Sequence, residues 1–131
     1  MAIQTHIIPA AQPFLKWPGG KTQLLNEFNK YLPKELKKGK ITKYVEPFVG
    51  GGAFFFYLNR YYSFEKSYLC DINEELILSY RTLQRSVKRV ISELKSLEST
   101  YLPNNEEMRE EFYYKIRAEF NQKLPTIDFE E

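Results

Sequence analysis

Apolar residues recur at helical spacing in several stretches of the chain and gather in short runs in others. Leu24, Leu25, Phe28, Tyr31 and Leu32 share one helical face, which predicts a helix over residues 22–32 that Pro33 stops. Residues 34–43 hold five lysines and read as a solvated connector. Tyr44-Val45-Glu46-Pro47-Phe48-Val49 begins as a short strand, and Pro47 should end it because proline cannot donate to a ladder. Gly50-Gly51-Gly52 follows, then an apolar helix over residues 53–61 and a second short strand over residues 67–70. From Ile72 the positions Leu76, Tyr80, Leu83, Val87, Val90, Leu94 and Leu97 step by four and three. That pattern predicts one long helix to about Ser99, packed on its own domain or, less simply, forming a coiled-coil seam. Pro103-Asn104-Asn105 is a turn, and Met108, Phe112, Tyr113, Ile116 and Phe120 mark a last helix over residues 106–122. Residues 1–13 read as a loose lead-in, and residues 124–131 carry little signal.

Strand, glycine turn, helix, strand, acid and long helix, in that order, form the opening of a doubly wound α/β sheet. Two convincing strands are fewer than the five or six of a mean sheet, so the sheet is incomplete. The chain has 131 residues, enough for one domain with a core and too few for two ordinary ones.

Composition narrows the chemistry. One cysteine, Cys70, excludes an internal disulfide framework, and one histidine, His6, speaks against a protein-built zinc site. No metal is therefore expected. The longest apolar run, residues 53–58, is too short to span a membrane, and residues 1–12 lack the pattern of a secretory signal. These features point to a cytoplasmic protein without a membrane partner. Residues 1–66 carry ten Lys/Arg against four Asp/Glu, and residues 67–131 carry nine against thirteen. The basic half could face an anion such as a phosphate or nucleic acid, but the imbalance is modest and a solvated surface is the simpler account. Aromatic residues reach 16%, which fits an aromatic core and also a base-stacking surface.

The glycine turn is the strongest local signal. Glycines between a strand and a helix let the backbone turn sharply and let a ligand approach the main chain. Asp71 lies 21 residues beyond Gly50, at the end of the next strand. Nucleotide-binding folds place an acid on the ribose hydroxyls at roughly this interval. The dinucleotide fingerprint fails, because Phe55 stands where its third glycine belongs. An adenosine-type ligand without pyrophosphate remains, and S-adenosylmethionine fits. Asp71 with Glu74 also forms a pair resembling a helix-capping box, so a purely structural role is open. Gly20-Lys21-Thr22 suggests a phosphate loop, but Leu15 occupies the position of its first glycine and no strand precedes it. Lys16 and Lys21 are still suited to an anionic group, and Trp17 to an aromatic ring.

Three ordered blocks carry a more specific message. Pro13-Phe14-Leu15-Lys16-Trp17-Pro18-Gly19-Gly20-Lys21, then Val45-Glu46-Pro47-Phe48-Val49-Gly50-Gly51-Gly52, then Asp71-Ile72-Asn73 resemble the DNA adenine methylase (Dam) family. The segment YYKIRAEFN, residues 113–121, is similar to a helix that follows these blocks in that family. The resemblance covers residues 13–122 and is strongest to the restriction-modification and phage branches. It implies an incomplete Rossmann-like methyltransferase fold with added helices. It also implies transfer of a methyl group from S-adenosylmethionine to the exocyclic amine of a flipped-out adenine in double-stranded DNA. Carried over residue by residue, Trp17 and Lys21 would contact the cofactor, Phe48, Gly50, Gly51 and Gly52 would wrap its methionine part, and Asp71 would bind the ribose hydroxyls.

One departure from the family is decisive for activity. Its Asp-Pro-Pro-Tyr block, which accepts the amine hydrogens and stacks on the base, does not occur, and no Pro-Pro pair is present. The expectation is an N-terminal portion of a catalytic domain, without the DNA-recognition region, inactive alone and with no catalytic residue of its own. Uncovered apolar surface would then favour self-association. Two other readings compete: a non-catalytic module that binds S-adenosylmethionine or a protein partner, and a helical interaction protein whose glycine turns are structural.

Overall fold

A computed structural model describes residues 10–129. The described chain divides into two compact units, one ending at Asn73 and the other beginning at Glu74. His6 and most of the lead-in lie outside the described residues.

In the first unit, a 3-10 turn (Lys21–Leu24) runs into α1 (Leu25–Tyr31). The stretch predicted as one helix therefore starts with a tighter turn, and Pro33 ends it as expected. The lysine-rich connector is partly wrong. Residues Lys34–Lys37 form a single-turn helix, α2, whose Leu36 is buried. Its one apolar side chain anchors the turn while the lysines snorkel outward. Gly39 then ends it with φ +69°.

Strand β1 (Lys43–Glu46) stops immediately before Pro47, as the missing donor requires. Helix α3 (Ala53–Tyr61) begins after Gly52, and β2 (Lys66–Leu69) follows. β2 pairs with β1 in parallel, in the register Lys43 with Lys66 through Glu46 with Leu69. Parallel neighbours need a crossover, and α3 supplies it. The fold of this unit is thus mixed α/β with a small parallel sheet. Its core holds Leu36, Val49 and Leu58, beside an aromatic cluster. Phe54 packs edge-on against Phe28 and Tyr44, while Phe55 and Phe64 stack on Tyr44. The bulky Phe55 that breaks the dinucleotide fingerprint is therefore a packing residue.

The second unit departs further from its sequence pattern. Helix α4 (Glu74–Tyr101) is two helices joined at Ser86, whose φ −142° and ψ 36° are not helical. The apolar steps of four and three continue through the break, so hydrophobic spacing gave no warning of it. Leu76 is buried, but Val87, Ile91, Leu94 and Leu97 are all exposed. Of the predicted stripe beyond Ser86, Val90 is half-buried while Val87, Leu94 and Leu97 are exposed, so the expected packing holds only in part. The next helix is α5 (Glu106–Lys123), capped by the Asn105 side chain, which accepts from the Met108 N–H at 2.9 Å. Arg109 donates to the Tyr101 and Leu102 carbonyls and lies over the Tyr101 ring, closing the turn between α4 and α5. A final 3-10 turn spans Leu124–Thr126. Among the described residues, no helix is long and apolar enough to cross a membrane, and no cluster of His, Cys, Asp and Glu could hold a metal ion.

Candidate functional site

The bend after β1 is built from backbone geometry. The Val49 N–H donates to the Cys70 carbonyl at 2.9 Å, and the Cys70 N–H donates to the Glu46 carbonyl at 2.8 Å. These bonds extend the ladder past the strand ends and bring residue 71 beside residue 50. Gly50 then takes φ +50°, a left-handed conformation that costs a side-chain-bearing residue about 1–2 kcal/mol. Gly52 caps α3 with φ +77°.

Asp71 grips this bend. Its Oδ2 accepts the Gly50 N–H at 2.9 Å and its Oδ1 accepts the Asn73 N–H at 3.1 Å. The carboxylate thus faces the glycine turn, as the strand–helix–strand interval predicts. α4 begins at Glu74, and the bond to the Asn73 N–H also gives Asp71 a structural role at the entry to that helix.

Trp17 lies against the bend at Gly50 and Gly51. A side chain at Gly50 would place its Cβ 3.1 Å from Trp17 Cδ1, and one at Gly51 would meet the Leu15 carbonyl at 3.2 Å and Trp17 Cβ at 3.3 Å. The two glycines therefore admit the loop that precedes the 3-10 turn. A hollow of about 540 Å³ opens there, lined by Pro13, Phe14, Leu15, Lys16, Trp17, Gly20, Thr22, Gly51 and Ala53.

Lys21 and Phe48 fall elsewhere. Both line a second, mainly apolar hollow of about 380 Å³, with Tyr44, Glu46 and Phe54 among its walls. The Lys21 ammonium pairs with Glu46 Oε1 at 3.0 Å and donates to the Phe48 carbonyl at 2.5 Å. Glu46 is buried at 4% exposure and also accepts from the Tyr44 hydroxyl at 2.7 Å. Burial, the hydrogen bond to Glu46 and the negative charge of Glu46 all raise the Tyr44 phenol far above its ordinary value, so it stays protonated. Phe48 itself is 72% exposed.

Of the residues singled out from sequence, Trp17, Gly50, Gly51 and Asp71 thus meet at the bend. Lys21 and Phe48 flank it, joined by the ammonium–carbonyl contact, and Gly52 is buried where α3 starts. Sequence reasoning missed Glu46 as the partner of Lys21 and Tyr44 as the second partner of Glu46. The only local signal was Glu46 itself, a glutamate in a short predicted strand.

A parallel strand pair joined by a crossover helix, with a glycine bend after the first strand, marks a mixed α/β protein. Within that class, comparison with known families is specific. Residues 17–131 match the model of the D12 class N6 adenine-specific DNA methyltransferases, and the chain belongs to that family. It is 55% identical over 117 residues to the Type II methyltransferase M.MjaIII of Methanocaldococcus jannaschii, covering 89% of this chain and 40% of that protein. It is 39% identical over 109 residues to the DNA adenine methylase of Vibrio cholerae, covering 83% of this chain and 34% of the relative. A Type II methyltransferase of a Paramecium bursaria Chlorella virus, M.CviBI, is 30% identical over 107 residues, with 82% and 35% covered. The chain therefore spans two fifths or less of the length of these relatives.

Proposed function

We propose that this chain carries the S-adenosylmethionine-binding part of an enzyme that methylates the N6 amine of adenine in double-stranded DNA. The observation that carries the reading is the Asp71 carboxylate, held 2.9 Å from the Gly50 N–H at the glycine bend. Family membership supports the chemistry, and the parallel strand pair with its crossover helix supports a Rossmann-like sheet as the frame. The site would work in the cytoplasm.

The residues present suit such a cofactor. The hollow beside Trp17, about 540 Å³, falls within the roughly 300–1,000 Å³ of small-molecule sites. Asp71, which reaches Gly50 but does not line that hollow, carries the acceptor oxygens that vicinal ribose hydroxyls would need. Trp17 offers an aromatic face, Gly50, Gly51 and Gly52 allow close approach to the main chain, and Phe48 and Lys21 flank the bend. S-adenosylmethionine, when bound, supplies a methyl group already activated on a sulfonium.

The task left to these residues is alignment. In-line displacement needs the donor held in one orientation against the amine, and positioning of this kind is a large share of such a barrier. The adenine must also leave the base stack to be reached. No proton transfer is assigned to the residues described, and the family's Asp-Pro-Pro-Tyr block does not occur in the 131 residues. The chain alone is therefore proposed to bind cofactor weakly and to methylate nothing.

Titration of the purified chain with S-adenosylmethionine, read by the emission of Trp17, its single tryptophan, tests the reading. A saturable change is expected, and Asp71→Ala should abolish it while the far-UV circular dichroism persists. Absence of any saturable change refutes the cofactor site. Transfer of labelled methyl to adenine-containing duplex by the 131 residues refutes the proposed inactivity.

A further inference from the structure

We propose that the hairpin of α4 and α5 is a docking surface for a second copy of this chain, the two hairpins lying antiparallel so that the acidic tip of each meets the basic end of the other. The surface belongs to the second unit and does not use the glycine bend. Leu76 is the one buried residue of α4, and no residue of α5 is buried. Most helical stability in proteins comes from packing an apolar face, and such a face is present. Val87, Ile91, Leu94 and Leu97 follow one another at steps of four, three and three, and all are exposed. From Val87 to Tyr101 the helix offers about 21 Å of length. Nearer its end an apolar hollow of about 300 Å³ opens, lined by Leu97, Glu98, Tyr101, Phe112, Tyr113 and Ile116 from both helices.

Charge placement selects the occupant. α5 runs back along α4: Arg109 donates to the Tyr101 and Leu102 carbonyls at the turn, and at the far end Arg81 donates to the Phe129 carbonyl at 2.6 Å. The tip of the hairpin therefore carries Glu98, Glu106, Glu107, Glu110 and Glu111 against Arg109 alone. The end near Ser86 carries Arg85, Lys88 and Arg89 on α4 with Arg117 and Lys123 on α5, against Glu119. Two hairpins laid in the same direction would set like charges together. Turned end for end, each acidic tip meets a basic end while the two apolar faces close on one another. A two-fold axis makes both contacts at once and ends the assembly at two chains. Four helices then share one apolar seam, as in an antiparallel four-helix bundle.

Sedimentation of the 131-residue chain over a hundredfold range of concentration tests the pairing. The mass should rise from one chain to two and stop there, and added salt should lower the paired fraction, because the opposed charges are exposed. Leu94→Glu should abolish pairing, and Tyr61→Lys, on the exposed side of α3 in the first unit, should leave it unchanged. Lys88→Glu with Arg89→Glu, and Glu110→Lys with Glu111→Lys, should each pair about tenfold more weakly, since like charges then face each other. Mixed in equal amounts, these two variants should recover pairing, because tip and end are again opposite in sign; recovery also shows that both are folded. A single-chain mass at every concentration, a mass that climbs past two chains, pairing that strengthens with salt, no recovery on mixing, or pairing lost in Tyr61→Lys and kept in Leu94→Glu would each overturn the proposal. A chain that stays single and instead binds a short DNA duplex through Lys88 and Arg89 would give the face to nucleic acid and overturn it as well.

Discussion

Replacing Gly50 by alanine probes the bend at its tightest point. The residue sits at φ +50°, where a Cβ costs about 1–2 kcal/mol of backbone strain. Alanine also restricts the unfolded chain, which returns about 0.4–1 kcal/mol, so the backbone alone leaves a loss of about 1 kcal/mol. The new Cβ would stand 3.1 Å from Trp17 Cδ1, closer than ordinary packing allows, so the indole must move. Gly39 provides the control: it has φ +69°, and a Cβ there meets nothing within 4 Å. Gly39→Ala should therefore show the backbone loss alone. Gly50→Ala should add the cost of displacing Trp17, for a total of about 1–2 kcal/mol and a Tm lower by several degrees. Thermal and urea unfolding, followed by circular dichroism, measure both variants, and Trp17 emission reports the displacement. A Trp17→Ala background should remove the excess of Gly50→Ala over Gly39→Ala, since residues in contact couple by about 0.5–3 kcal/mol. Equal losses for the two glycine variants with intact Trp17, or an excess that survives Trp17→Ala, would refute the close approach.

Other expectations follow from the same geometry. Asn105→Ala removes the acceptor for the Met108 N–H and should cost about 0.5–2 kcal/mol in urea unfolding, with loss of helical signal in the second unit. The Tyr44 phenol is raised in the folded chain relative to about 10 when unfolded. Its contribution is thus complete below pH about 10 and lost as pH rises further, because the unfolded chain gives up the proton first. Tyr44→Phe should flatten that alkaline loss in melts taken between pH 9 and 11, and an unchanged profile would remove Tyr44 as the cause. Exposed Val45, Phe48, Ile72, Ile91 and Leu94 predict self-association, which sedimentation should register as a rising mass with concentration. A monomer across a hundredfold range would contradict it.

Much of the first unit was legible because its signals are local or fixed in interval. Pro47 ended β1, the apolar run after the glycines made α3, and one helix plus one strand set the distance from Gly50 to Asp71. The helix at Lys34–Lys37 was hidden because a single buried leucine among lysines has no periodicity to read. The break at Ser86 was hidden for the opposite reason: the apolar period runs through it undisturbed. Lys21 and Glu46 lie 25 residues apart, and nothing in either local pattern shows that a buried carboxylate will turn the lysine toward the Phe48 carbonyl. Lys21 was therefore expected at the cofactor on its motif alone, with neither protein partner of its ammonium foreseen. Phe48 was legible as part of a motif, but not its exposure, which depends on what packs against β1.

The central claim, that the glycine bend and Asp71 together seat the nucleoside of a sulfonium donor, is tested most directly by amide-resolved NMR of the isotope-labelled chain during titration with S-adenosylhomocysteine. The account predicts saturable shifts at the amides of Gly50, Gly51 and Asn73 and at the Trp17 indole N–H, all lost together in Asp71→Ala. Shifts confined to α5, or none at millimolar ligand, would contradict it.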